Sequence, residues 1–259
     1  MSKAKKTEKV LKPIFPNAGI EAAYRRAMQG RARAMSIKYE EWLLLTLRKE
    51  PSVTVITDLM EGLARHWQSE FDGIAEAMAY KFGTDARLYT DFAMKRELKR
   101  AGWALEFSMT ENEKQAFEKV VAWNVGLIKT IPEQYHDRVQ NAVFSTLTTE
   151  GSDLYALKER LKECYNITDR RAAFIAKDQN NKAHSAFENA RRLDLGLTEA
   201  EWMHSKAGKY PREPHVKAGE EKRRYDIRNG CLIDGKYIQP GEEINCRCVS
   251  LTVIPGLGV

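Results

Sequence analysis

The chain has 259 residues, 43% hydrophobic and 30% charged, with four cysteines. That apolar content supports one large or two modest domains with a buried core, which excludes wholesale disorder. No stretch approaches the roughly 18 uncharged apolar residues of a bilayer span, and the charged start MSKAKKTEKVLKPIFP has no apolar run of the secretory kind. A membrane-spanning or exported protein is therefore not expected.

The net charge of +6 is uneven. Residues 1–38 hold ten Lys/Arg against two Glu, while the other 221 hold thirty-two basic against thirty-four acidic side chains. Lys3, Lys5, Lys6, Lys9 and Lys12 lie in a segment too poor in apolar residues to fold alone, so residues 1–18 are expected to form a flexible basic arm. Arg25 and Arg26, then Arg31 and Arg33, follow on a helix. Such a surface can attract double-stranded DNA, RNA or an acidic protein face. The bland alternative is a solubilising tail, since phosphate-type contacts carry no base-reading information.

Beyond Pro13 and Pro16 the apolar residues recur at helical spacing. Ile20, Tyr24, Ala27, Met28, Ala34, Met35, Tyr39 and Trp42 mark a long first helix, which Pro51 ends. Ser52 can cap a second, with a stripe through Ile56, Met60, Leu63, Trp67 and Phe71. Gly83 and Thr84 are read as a break, residues 85–107 as a helix of weaker stripe, and 112–129 as the next segment. Pro132 suits the first turn of another helix, carrying Tyr135, Val139, Val143 and Leu147 on one face. Gly151 and Ser152 punctuate before a helix with Leu154, Leu157, Leu161 and Cys164. Thr168 is a candidate cap for a last helix over 169–194, with Ala172, Ile175, Ala176, Ala183, Phe187 and Ala190 facing inward and Gly196 as its stop. These stripes read as core first. His66, His136 and His184 have no evident sequence partners.

From about residue 197 the helical period stops and Gly and Pro become dense. Asp234-Gly235 between Leu232-Ile233 and Tyr237-Ile238 is a hairpin signature. Pro240-Gly241 fits the centre of a type II turn. Residues 244–254 read as a strand by composition. The expected fold class is mainly α: an extended multi-helix body followed by a small α+β C-terminal module with a β-hairpin and a terminal strand.

Strand alternation places Cys246 and Cys248 on one face with Ser250 and Thr252. With His215 and Cys231 they could make a four-ligand Cys₃His structural zinc site, which would explain how so glycine-rich a module holds together. The alternatives are a packed, reduced module and, beyond that, a Cys–His nucleophile pair. With no export signal, a disulfide framework is not expected.

The run Arg212-Glu213-Pro214-His215, then Asp234-Gly235, Pro240-Gly241-Glu242 and Asn245-Cys246-Arg247-Cys248, resembles the phage Mu F-like head morphogenesis family, the minor head proteins of tailed bacteriophages. Upstream, Arg170-Arg171-Ala172-Ala173-Phe174-Ile175-Ala176 is similar to a helix start of that family. The resemblance covers about residues 127–254 and extends in outline over 13–50. Two features depart from it: Lys177-Asp178-Gln179 stands where the family has Arg-Thr-Glu, and Cys231 is outside the pattern. The resemblance divides the chain into the arm (1–18), an N-terminal helical region (19–126), the helical part of the Mu F-like domain (127–196) and the Cys-x-Cys module (197–259). It implies a non-enzymatic protein that binds portal, scaffold or capsid protein in procapsid assembly, with a part in DNA packaging or delivery. Its expected place is the host cytoplasm before assembly and the inside of the virion head after it. A nucleic-acid-binding protein using the basic arm, and a Cys/His or zinc-dependent enzyme, are the other function classes.

Overall fold

A computed structural model describes residues 8–49, 52–149, 153–208 and 210–256 of the chain. In chain order the elements are β1 (Lys9–Val10), α1 (Ala18–Leu47), α2 (Val53–Arg100), α3 (Glu111–Thr149), α4 (Leu154–Asp194), β2 (Glu199–Met203), α5 (Glu213–Glu220), β3 (Arg224–Asp226), β4 (Cys231–Ile233), β5 (Lys236–Ile238) and β6 (Val249–Ile254). The protein is mainly α, with a small α+β module at its C-terminal end.

The four long helices start on side-chain caps. Asn17 Oδ1 accepts the Gly19 N–H at 2.7 Å, Ser52 Oγ that of Val55 at 3.4 Å, and Thr110 Oγ1 that of Glu113 at 3.2 Å. Asp153 caps α4, taking the N–H groups of Tyr155 and Ala156 at 2.8 and 3.2 Å. The proposed punctuation at Pro51, Gly151 and Ser152 lies outside the described residues.

Three expected breaks are not breaks. α2 runs through Gly83 and Thr84, α3 through Pro132, and α4 through Thr168. A helical glycine costs only about 1 kcal/mol, and the buried Ala79, Phe82 and Ala86 around Gly83 outweigh it. Pro132 loses one backbone hydrogen bond at a cost of about 3 kcal/mol, set against the burial of Ile128, Ile131 and Tyr135 on the same face. Thr168 turns its hydroxyl back on its own helix, donating to the Cys164 carbonyl at 3.0 Å. In the other direction, α2 stops at Arg100, and residues 103–110 are not helical. The α1 stripe is also rotated: Tyr24, Met28, Ala32, Met35, Tyr39, Leu43 and Leu47 are buried, while Ala27, Ala34 and Trp42 are exposed.

The described residues belong to two compact units, one drawn from Met1–Ile20, Phe82–Val120 and Lys177–Val259, the other from Glu21–Lys81 and Val121–Ala176. The boundaries expected at 126/127 and 18/19 fall within α3 and α1. The described elements of the second unit are all helices. Its interior includes Tyr39 against Tyr135, edge to face with centroids 5.2 Å apart, and Tyr24, whose hydroxyl donates to the buried Asn124 at 2.9 Å.

The first unit holds the sheet. Its order is β1-β6-β2-β3, every pair antiparallel, with β4 and β5 as a separate hairpin. The Asp234-Gly235 hairpin forms as expected, both residues with positive φ (51° and 75°) as a type I′ turn requires. The arm is corrected over part of its length. Lys9–Val10 pairs with β6, and Leu11 and Ile14 are buried with Ala93, Met94, Leu98, Leu197 and Ile254. Backbone pairing and two apolar anchors supply what the segment lacks alone. β6 is shorter than the predicted strand and is buried on both faces. The polar face is occupied rather than solvated: Thr252 Oγ1 and the Ser250 carbonyl both contact the fully buried Arg192, which Glu188 Oε1 pairs at 2.6 Å. Gly196 (φ 69°) ends α4 as expected, with Leu197 N–H returning to the Arg192 carbonyl.

Candidate metal centre

Three of the four predicted ligands converge. His215, Cys246 and Cys248 are all buried, and their ligand atoms lie within 4.8 Å of one another. His215 Nδ1 stands 3.5 Å from Cys246 Sγ and 3.8 Å from Cys248 Sγ. Cys231 is not part of the cluster. It sits in β4, buried with Ile233 and Ile238 in the module core, and burial pushes its thiol up from the ordinary range. The Cys₃His set is thereby corrected to a His–Cys–Cys set. Cys231 behaves as a small hydrophobe.

Local sequence explains each position. Arg212 precedes α5 in extended conformation and Pro214 occupies its first turn, where a missing N–H costs nothing. His215 follows on the inward face. Gly219 lets α5 approach β2: a Cβ there would lie 2.7 Å from His204 Cβ and 2.8 Å from its backbone nitrogen. The cysteine loop is set by a turn and by α4. Gly241 takes φ 84° and Glu242 N–H bonds to the Gln239 carbonyl, the expected type II turn. Asn245 adopts a left-handed φ of 58°. Its N–H donates to Asp178 Oδ1 at 2.6 Å, and Asn181 Nδ2 donates to the Cys246 carbonyl at 3.0 Å. Thus Asp178, one of the residues that depart from the family pattern, holds the Cys-x-Cys loop.

Around the imidazole, Glu243 Oε2 lies 3.1 Å from Nε2, and the Trp202 ring stands edge-on at 5.2 Å. With the proton on Nε2, donated to Glu243, Nδ1 turns its lone pair toward the two sulfurs as a metal ligand does; with the proton on Nδ1, the ring donates to Cys246 instead. The thiols titrate as a pair. The hydrogen bond from Cys248, followed by that from His215, holds Cys246 well below the ordinary thiol range, while the bond to Cys246 and burial push Cys248 up. A cavity of about 240 Å³ adjoins the cluster, lined by all three ligand residues and by Tyr210, Arg212 and Arg247.

Lys3, Lys5 and Lys6 lie outside the described residues. Lys9 and Lys12 are exposed in the first unit, whereas Arg25 and Arg26 belong to the other. Glu243 and Trp202 were not singled out from sequence. Glu243 lies 28 positions from His215, and nothing local marks it as a partner.

No protein-family model matches the chain, and no solved structure matches it. It is 30% identical over 199 residues to an uncharacterized protein of Haemophilus influenzae. That similarity covers 76% of this chain and 43% of the relative, so the chain spans less than half the length of the protein it matches. No helix among the described residues is long and apolar enough to cross a membrane.

Proposed function

We propose that the protein is a bacteriophage minor head protein that acts by binding portal, scaffold or capsid protein during head morphogenesis. The observation that carries this reading is the convergence of the resembling residues. His215, Cys246 and Cys248 form one buried cluster, with Gly241 and Asn245 in the cysteine loop and the exposed Arg212 bonded to the Ile244 carbonyl beside it. Motif residues spent on holding a module together fit a protein that works through its surface. In this reading the protein occupies the host cytoplasm before assembly and the head interior afterwards. The test is mass spectrometry of purified particles and of their empty precursors. The chain is expected in both in a few copies, and its absence at every stage overturns the proposal.

The ion that suits the clasp is structural zinc. Tetrahedral zinc with bonds of about 2.3 Å to sulfur and 2.0–2.1 Å to nitrogen sets its ligand atoms roughly 3.6–3.8 Å apart. The sulfur–nitrogen separations of 3.5 and 3.8 Å agree with that spacing. DNA contact is a second reading, supported by the ten Lys/Arg against two Glu in residues 1–38. Such contact would be salt-sensitive and sequence-independent.

A further inference from the structure

We propose that the His215–Cys246–Cys248 centre keeps its fourth coordination position open to the adjoining cavity, and that an anionic oxygen ligand, a carboxylate or a phosphate, completes it there. This rests on the zinc reading above and adds an exchangeable ligand to it.

The first reason is the count of protein ligands. A closed structural zinc site takes four, whereas three with an open position is the arrangement in which the ion accepts an exogenous group. Among the described residues, no fourth His, Cys, Asp or Glu joins the three. Cys231 is engaged in the hairpin core. Glu243 is near but on the wrong side of the ring. It bonds Nε2, and the two imidazole nitrogens point apart, so a carboxylate on Nε2 lies beyond the reach of an ion on Nδ1. Its role is to orient the ligand.

The second reason is space. The cavity touches His215, Cys246 and Cys248, so it meets the centre itself. Its volume of about 240 Å³ far exceeds the roughly 10–15 Å³ needed for one water. A carboxylate or phosphate group fits with waters to spare.

The third reason is charge. A divalent ion with two thiolates is neutral. Arg212 and Arg247 line the cavity, opposed by Glu243, whose Oε2 lies 3.6 Å from Arg212. The balance is one positive charge. Both guanidinium groups are tethered at the rim, Arg212 by the Ile244 carbonyl at 2.8 Å and Arg247 by the Ala207 carbonyl. A planar guanidinium suits a carboxylate or phosphate oxygen.

Cobalt(II) in place of zinc tests this on the full chain, because its visible bands report coordination and its near-ultraviolet bands report bound thiolate. The cobalt protein is titrated separately with acetate and with inorganic phosphate. A saturable change in the visible bands with either anion is expected, and the tighter of the two names the ligand class. Arg212→Gln keeps a donor for the Ile244 carbonyl but removes the charge. It should weaken that anion about tenfold, with the thiolate bands and far-ultraviolet circular dichroism unchanged. Thiolate bands with visible bands that neither anion moves would overturn the open position and leave the structural zinc reading standing. No thiolate bands at all would overturn both.

Discussion

His184 shows how a residue with no sequence partner finds its partners in the fold. It is buried in α4, with Nε2 donating to the Ile14 carbonyl at 2.9 Å and Nδ1 3.2 Å from Thr90 Oγ1. Its environment also includes Glu188, 3.6 Å from Nε2, and Arg192. Burial outweighs the carboxylate and holds the imidazole below its ordinary value of 6.5. The folded state therefore binds fewer protons than the unfolded one, and stability falls as pH drops through about 6.5 toward the lower folded value. Urea midpoints measured from pH 8 to pH 5 should decline. His184→Gln, which can still donate to Ile14 and accept from Thr90, should flatten that decline. An unchanged slope would place the titration elsewhere, His136 being the other histidine lowered by burial.

At the scale of elements, the same residue type has opposite meanings in the helices and in the module. Gly126 is exposed within α3, and a Cβ there meets nothing within 4 Å. Gly126→Ala should stabilise by about 0.5–1 kcal/mol through helix propensity and a less free unfolded chain. Gly219 meets His204 backbone and side chain at under 3 Å. Gly219→Ala must push α5 off β2, and should destabilise by about 1–3 kcal/mol, as overpacking does. Denaturant unfolding of the two variants checks both signs. Periodicity located the inner face of α4 from Ala172 to Ala190 and the hairpin at Asp234-Gly235, because those signals are local. It misplaced the helix boundaries at Gly83, Pro132 and Thr168, because a local penalty of about 1–3 kcal/mol is overridden by burial on the same face. It also chose Trp42 over Leu43, since hydrophobicity alone cannot tell which flank of a helix meets its neighbours.

For the whole molecule, the two compact units predict two responses to metal removal. Zinc bound at the clasp stabilises only the state that assembles it. Native mass spectrometry should find one zinc per chain, lost to a strong chelator. Hydrogen exchange after chelation should then show amides of 199–254 losing protection, while those of Glu21–Lys81 and Val121–Ala176 keep theirs. Equal loss throughout would make the chain one cooperative unit. A metal-free chain with unchanged exchange would leave the module held by Trp202, Tyr225 and their apolar neighbours alone.

The fold class was legible in the sequence by itself: helical periodicity to about residue 196, turn chemistry after it, and the ligand types His215, Cys246 and Cys248. The periodicity, the turns and the Cys-x-Cys pair each lie within a few residues along the chain, where backbone preference and side-chain spacing act directly. Only the tertiary structure decided which of the His and Cys side chains converge, the Glu243 hydrogen bond, the cavity and the insertion of residues 9–14 into sheet and core. Those depend on groups 28 to more than 200 positions apart, brought together by burial that pays no regard to separation along the chain.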